Sequence, residues 1–170
     1  DNEKRAFELS QVSKISEVKP NLLPYKHLVT LAQSKTNLKE IIEALERSGE
    51  VKDVDESKLE NRVRCIKQWI QNYAPESVVF EIQREKPKIK FDDLQNKCIK
   101  LLIEKMKEVE WSPESIHNSF YELQEQNKIP AKNFFKIMYN VLLNKNRGPR
   151  LGFFLATMNK EFIIERLESY

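Results

Sequence analysis

Glycine is nearly absent from this sequence, with three in 170 residues. That argues against phosphate loops and dinucleotide-binding turns, whose backbones must approach a ligand closely. It also disfavours a sheet-rich architecture and favours helices joined by short turns. Cysteine is equally scarce. Cys65 and Cys98 stand far apart, each inside a helical apolar pattern and without CxxC spacing. They read as buried free thiols of a reducing compartment. The two histidines, His27 and His117, have no partner spacing suited to metal binding or nucleophilic catalysis and are assigned to packing or surface roles. Acidic pairs such as Asp92 and Asp93 sit where a helix N-terminus favours negative charge. No apolar run approaches the roughly 20 residues of a membrane span, and no secretory signal opens the chain. Together these absences nearly exclude a small helical enzyme.

One further absence is local. Between Gln126 and Lys160 there is no Asp or Glu, yet the stretch holds Lys128, Lys132, Lys136, Lys145, Arg147, Arg150 and Lys160. These seven charges exceed the net +3 of the chain, so the remainder sums to −4. A one-sign patch around a turn between helices is an electrostatic footprint for a polyanion. A face chosen only for solubility would mix in glutamates, since Glu–Lys pairs four apart add a few tenths of a kcal/mol. Here Lys132 and Lys136 repel each other at that spacing, and Lys132 lies near the positive end of its own helix. That helix, opened by Pro130 in its first turn, places Phe135, Met138, Tyr139 and Leu142 at core spacing. Its opposite face carries Asn133, Lys136, Asn140 and Asn144.

The loop NKNRGPRLG follows. Gly148 supplies backbone freedom, Pro149 fixes the chain direction, and Arg147 and Arg150 flank the corner with planar forks suited to phosphates or base edges. Phe153 and Phe154 are expected to begin the next core element.

The rest of the chain reads as one soluble helical domain with enough length for a core, 40% hydrophobic and 32% charged. Residues 1–12 look like a helix entered partway, without an initiator Met, as in a fragment or processed piece of something longer. Pro20 and Pro24 bracket an extended connector. Helices follow at YKHLVTLAQ and, capped by Asn37, at LKEIIEALERSG, closing at Gly49. An acidic linker leads to Ser57 and Glu60, a capping-box candidate, and to a stripe of Leu59, Val63, Ile66 and Ile70, broadened by Trp69. SVVFEIQ has strand composition but no evident partner, so it is expected as an apolar strap across helices. REKPKIK is a solvated basic loop and a candidate second phosphate contact. Residues 91–109 form the longest helix, burying Leu94, Cys98, Leu101, Leu102 and Met106. Ser112 with Pro113 opens the next, Trp111 before it is assigned to core packing, and a last helix begins at Asn159. The fold expected is all-α, a bundle or cage of about eight helices without an internal repeat.

The blocks RAFELSQ, LPYKHLVTLAQ, W-x-P-E-S-I-H and, most specifically, GPRLGFFLATMNKEFIIERLE resemble the C-terminal part of class I lysyl-tRNA synthetases, the mainly archaeal form. They span nearly the whole chain. The resemblance implies a helical anticodon-binding domain, with residues 1–54 joining the catalytic half and residues 55–170 forming the anticodon-binding subdomain. It places the turn before the last helix at the anticodon, which here is Arg147, Gly148, Pro149, Arg150 and Leu151. Lys132, Lys136 and Lys145 would hold phosphates of the tRNA stem and loop. It also implies a cytoplasmic enzyme that attaches lysine to tRNA(Lys) using ATP and magnesium on a Rossmann domain of the same polypeptide. That domain's HIGH-type and KMSKS-type motifs do not occur here. Lys14-Ile15-Ser16 begins like the second, but Glu17 stands where its next Lys should be. The fragment alone is therefore expected to be non-catalytic and free of cofactor. The competing reading is a helical protein-interaction scaffold that docks an acidic surface on the basic loop.

Overall fold

The computed structural model describes residues 23–48 and 55–170. The helix expected over 1–12, most of the connector after it, the Gly49 helix end and part of the acidic linker lie outside the described residues. Among the described residues there are eight α-helices and no strand: α1 Tyr25–Ser34, α2 Leu38–Arg47, α3 Glu56–Asn72, α4 Asp93–Glu108, α5 Pro113–Asn127, α6 Ala131–Leu143, α7 Leu151–Ala156 and α8 Lys160–Glu168. The all-α expectation is met.

Side-chain caps set most of the helix starts. Asn37, Asp55, Asp92, Ser112 and Asn159 each accept a hydrogen bond from a backbone N–H of the first turn. The α3 cap is Asp55, whose carboxylate accepts from the Lys58 N–H, and not Ser57. Asp92 and Gln95 close a full capping box at α4. At 17 residues α3 is longer than α4, which has 16.

The buried side chains fall into two clusters. In one, α1, α2 and α3 contribute Leu28, Leu31, Ile41, Leu45, Leu59 and Ile66, so α3 packs with α1 and α2 although it lies beyond residue 54. The larger cluster joins α4 to α8 around Leu102, Met106, Phe120, Phe134, Met138 and Phe154. Phe153 belongs to the first cluster and Phe154 to the second, so the short α7 is pinned between them. Gly152 makes that possible, because a Cβ there would overlap the Pro113 carbonyl oxygen and sit 3.0 Å from His117 Cβ.

Residues 79–92 form no helix or strand and lie across the helices as a strap, bent at residues 84 and 85. The Phe80 N–H donates to Gln33 Oε1 at 2.9 Å, and the Gln83 N–H donates to the Leu142 carbonyl at 2.8 Å. The strap is clamped by Arg166, which is 7% exposed. Its guanidinium donates to the carbonyls of Gln83, Arg84, Glu85 and Val141 at 2.7–3.1 Å.

Three expectations about side chains are corrected. Leu94 is 49% exposed, because it lies in the first turn of α4, beyond the reach of the core. Cys65 is exposed while Cys98 is buried. On α6 the core stripe is Phe134, Ile137, Met138, Val141 and Leu142, leaving Phe135 and Tyr139 half-buried at its edge.

Candidate nucleic-acid interface

The basic stretch of sequence becomes one surface running along α6 into the loop at residues 144–150. The N-cap residue of α6 gives no side-chain cap and its first turn holds no acidic residue; the Ala131 N–H donates instead to Gln124 Oε1 of α5 at 2.9 Å. Pro130 occupies its N-cap position, one residue before the first helical turn. Lys132 and Lys136 are both exposed on it, about 6 Å apart along the axis at 1.5 Å per residue. The helix ends at Asn144 in the left-handed conformation, φ 53°, with its N–H returned to the Asn140 carbonyl. Asn tolerates that conformation better than most residues, and it turns the chain sharply into the loop.

The loop is held from three sides. Tyr139 donates its hydroxyl to the Pro149 carbonyl at 2.6 Å, and burial pushes that phenol above its ordinary pKa. Lys145 donates its ammonium to the Val79 carbonyl of the strap at 2.6 Å. The Arg150 carbonyl accepts from the Phe154 N–H, opening α7. Gly148 is needed for a different reason from the one expected. Its φ is outside the left-handed region, and a Cβ would meet Leu143 Cδ1 at 2.7 Å and the Tyr139 ring at 2.9 Å. Close approach to Tyr139 and Leu143, rather than backbone freedom, demands glycine there.

Against this fixed frame, Arg147 and Arg150 project into solvent. Neither guanidinium makes a hydrogen bond or ion pair with any other described residue, and the same holds for the ammonium groups of Lys132 and Lys136. The four ion pairs among the described residues all lie elsewhere. Pro149 is half-buried. Leu151 is 3% exposed, its side chain in the core, so only its backbone is near the surface. Lys160 leaves the patch altogether: its ammonium donates to the Lys107 and Val109 carbonyls and lies 5.8 Å from the Trp111 ring. Trp111 is half-buried and donates its indole N–H to the Met158 carbonyl, as a packing residue does. In the basic strap segment, Lys86 is engaged with the Ser169 carbonyl and the Tyr170 ring, while Arg84, Lys88 and Lys90 stay exposed.

The loop leads into the six-residue α7 and not directly into the last helix. Tyr139 is the site residue that sequence reasoning missed, being assigned to the core stripe; its place at the stripe's edge was the available signal. Among the described residues no group of three or more His, Cys, Asp or Glu could hold a metal ion, and no helix is long and apolar enough to cross a membrane.

A family model described as "Anticodon binding domain" matches residues 59–170. The chain belongs to that anticodon-binding domain family. The match begins in α3 and contains the whole of the α6 row and the loop. Over 169 residues the chain is 33% identical to the lysine–tRNA ligase of Picrophilus torridus, covering 99% of this chain and 33% of that protein. Over 171 residues it is 35% identical to the lysine–tRNA ligase of Thermococcus kodakarensis, covering 96% and 32% respectively. The enzyme of the same name from Methanocaldococcus jannaschii is 32% identical over 174 residues, with 95% and 33% covered. The chain thus spans about a third of the length of the curated relatives it matches.

Proposed function

We propose that this chain is the anticodon-binding region of a cytoplasmic class I lysyl-tRNA synthetase and that it recognises the anticodon loop of tRNA(Lys). The observation that carries the reading is the rigid turn at residues 147–150, with two arginines whose side chains are unpaired flanking it and no acid between Gln126 and Lys160. Anticodon bases are single-stranded and splayed, so they are read by stacking and by hydrogen bonds to their pairing edges. A uridine-rich lysine anticodon offers imide N–H and carbonyl groups, which match guanidinium donors and the backbone amides and carbonyls of the turn at residues 147–151. Lys132, Lys136 and Lys145 hold phosphates of the stem and loop and set the register. Because Tyr139, Lys145 and Asn144 already order the loop, little conformational entropy is lost on binding. In this reading a catalytic Rossmann domain of the same polypeptide supplies ATP- and magnesium-dependent attachment of lysine, and no chemical step falls to this chain.

The test is binding of the chain to a lysine-anticodon stem-loop and to one with a changed anticodon, across salt concentrations. If all five named cations meet phosphates, log K falls with log salt at a slope of up to about −3.5, at roughly −0.7 per phosphate on single strands. Arg147→Ala or Arg150→Ala is expected to remove about 1–3 kcal/mol of the preference for the lysine anticodon. Equal binding of both RNAs confines the patch to backbone contacts. No binding by folded chain at low salt rejects RNA in favour of an acidic protein partner.

A further inference from the structure

The turn at residues 148–150 is also one lip of a cleft of about 730 Å³. Its other walls are the exposed side of α1, the end of α3 and the start of the strap, and its apolar lining includes Tyr25, Trp69, Val78, Phe80, Pro149 and Phe153. The volume lies within the range of small-ligand sites, which are apolar with a few polar groups at the edge. We infer that this cleft receives one unstacked base of the single-stranded RNA bound at the loop, with Tyr25 as its stacking platform. The inference rests on the RNA reading proposed above.

The walls are fixed. Gln33 donates to the carbonyls of Val29 and Val78 at 3.2 and 3.3 Å while its Oε1 accepts from the Phe80 N–H, so α1 and the strap are locked at a set separation. Thr30 donates to the Lys26 carbonyl. His27 stacks on Phe153, with centroids 4.0 Å apart and the planes 12° from parallel. With these groups already engaged inside the protein, the interior suits a flat apolar ring. Tyr25 stands at the opening, packed edge-to-face against Trp69 at 5.9 Å and still 51% exposed. The Trp69 contact fixes the ring at the mouth of the cleft and leaves one side of it open to a stacking partner.

Charge selects the occupant. Lys26 and Arg150 both line the cleft and both are exposed, so an entering group carries negative charge at its edge and a flat apolar face within. A nucleotide has that form, with its phosphate outside and its base inside. Arg150 belongs at once to the turn and to the cleft, which makes the two sites adjoining parts of a continuous surface. Stacking of this kind is tolerant of base identity, because every base has a π-face. The cleft therefore adds affinity and holds the strand, while discrimination falls to the turn.

The chain has two tryptophans, Trp69 and Trp111, so Trp111→Phe leaves Trp69 in the cleft as a single fluorescent reporter. The probe is a lysine-anticodon stem-loop RNA, intact and with each loop nucleotide replaced in turn by an abasic residue. The intact RNA is expected to quench Trp69 with the midpoint of binding, and one abasic position is expected to abolish the quench. Tyr25→Leu should weaken binding about 5- to 150-fold, the range measured for losing one base–aromatic stack, with an unchanged salt slope. Tyr25→Phe keeps the ring and should bind within about twofold of the parent; both changes are at an exposed side chain and leave the core intact. If RNA binds but Tyr25→Leu has no effect, if Trp69 does not respond, or if no abasic position stands out, the cleft takes no base and the RNA reading survives without it. If the folded chain binds no RNA at low salt, both fall together.

Discussion

Arg166 offers the most demanding test of how this fold holds its loop. Its guanidinium is buried without a carboxylate, its charge shared among four backbone carbonyls and the Phe162 ring at 5.2 Å. Three of those carbonyls belong to strap residues 83–85 and the fourth to Val141 in the core helix α6. Arg166→Met keeps much of the apolar stem and removes every donor. Each charge-assisted hydrogen bond contributes about 1.5–3 kcal/mol, but the four are not additive. Water can reach the strap carbonyls once the clamp is gone, whereas the Val141 carbonyl is left beside an apolar side chain. We expect a loss of about 3–5 kcal/mol, close to the cost of breaking other buried polar networks. At about 2–4 °C per kcal/mol for a chain of this size, Tm falls by about 6–20 °C. Arg166→Lys restores the charge without the fork and should recover only part of this. Urea unfolding followed by circular dichroism measures the loss. Hydrogen exchange of the Gln83 amide, bonded to the Leu142 carbonyl, reports whether the strap loosens first. A change below about 1 kcal/mol for Arg166→Met, or an unaltered Gln83 amide, would refute the clamp.

Four other outcomes follow from the packing. Gly152→Ala drives a methyl into the Pro113 carbonyl and His117, and overpacking against backbone should cost about 1–3 kcal/mol in urea unfolding. Lys128 closes α5 in the left-handed conformation at φ 57°, which costs a side-chain-bearing residue about 1–2 kcal/mol; Lys128→Gly should therefore raise the unfolding midpoint. Burial raises the Tyr139 pKa, so its phenol favours the folded state fully below the ordinary value near pH ~10. That contribution is lost as pH rises through the higher folded value, and Tyr139→Phe should flatten this part of the alkaline unfolding curve. Lys132→Glu replaces repulsion from Lys136 by attraction and places an acid in the first turn of α6. It should stabilise the fold by about 0.5–1.5 kcal/mol and weaken RNA binding.

Much of the architecture was legible because local chemistry dictates it. Asn37, Ser112 with Pro113, and Asn159 each mark a helix start in sequence, and each caps one in the structure. The strap was legible because a strand-like segment with no partner has to lie on something. What escaped was set by a near tie between local alternatives or by distant neighbours. Asp55 rather than Ser57 caps α3, a choice between two adequate acceptors two residues apart. Periodicity on α6 could not tell Phe134 from Phe135, since adjacent aromatics differ by only 100° of rotation; Phe134 is fully buried, whereas Phe135 stays half-buried against His117, Phe120 and Tyr121 of α5. The clamping role of Arg166 was not legible, because nothing local announces four carbonyls arriving from the strap and α6. At the site, the arginines flanking Gly148 and Pro149 were visible in sequence, whereas the burial of Leu151, the internal bonds of Lys160 and the role of Tyr139 came only with the tertiary structure.

The helices themselves say where charge has been withheld. Five of the eight described helices begin with a side-chain cap and an acidic residue in the first turn: α2, α3, α4, α5 and α8. The three that have neither are α1, α6 and α7. These are the helices that contribute the wall of the cleft, the lysine row and the continuation of the turn. A cap contributes about 0.5–2 kcal/mol and a first-turn acid a few tenths more; α6 recovers part of this from Gln124, whose Oε1 accepts from the Ala131 N–H at 2.9 Å. Chance would scatter such omissions, but here they surround one surface. At α1 and α6 an acid would lie beside Lys26 or Lys132 and would neutralise it, whereas the first turn of α7 is buried core, where no acid fits. The omission at α1 and α6 keeps the potential positive along the cleft and the lysine row. At α1 and α6 the fold therefore forgoes the few tenths of a kcal/mol of a first-turn acid, as a surface built to hold a polyanion requires.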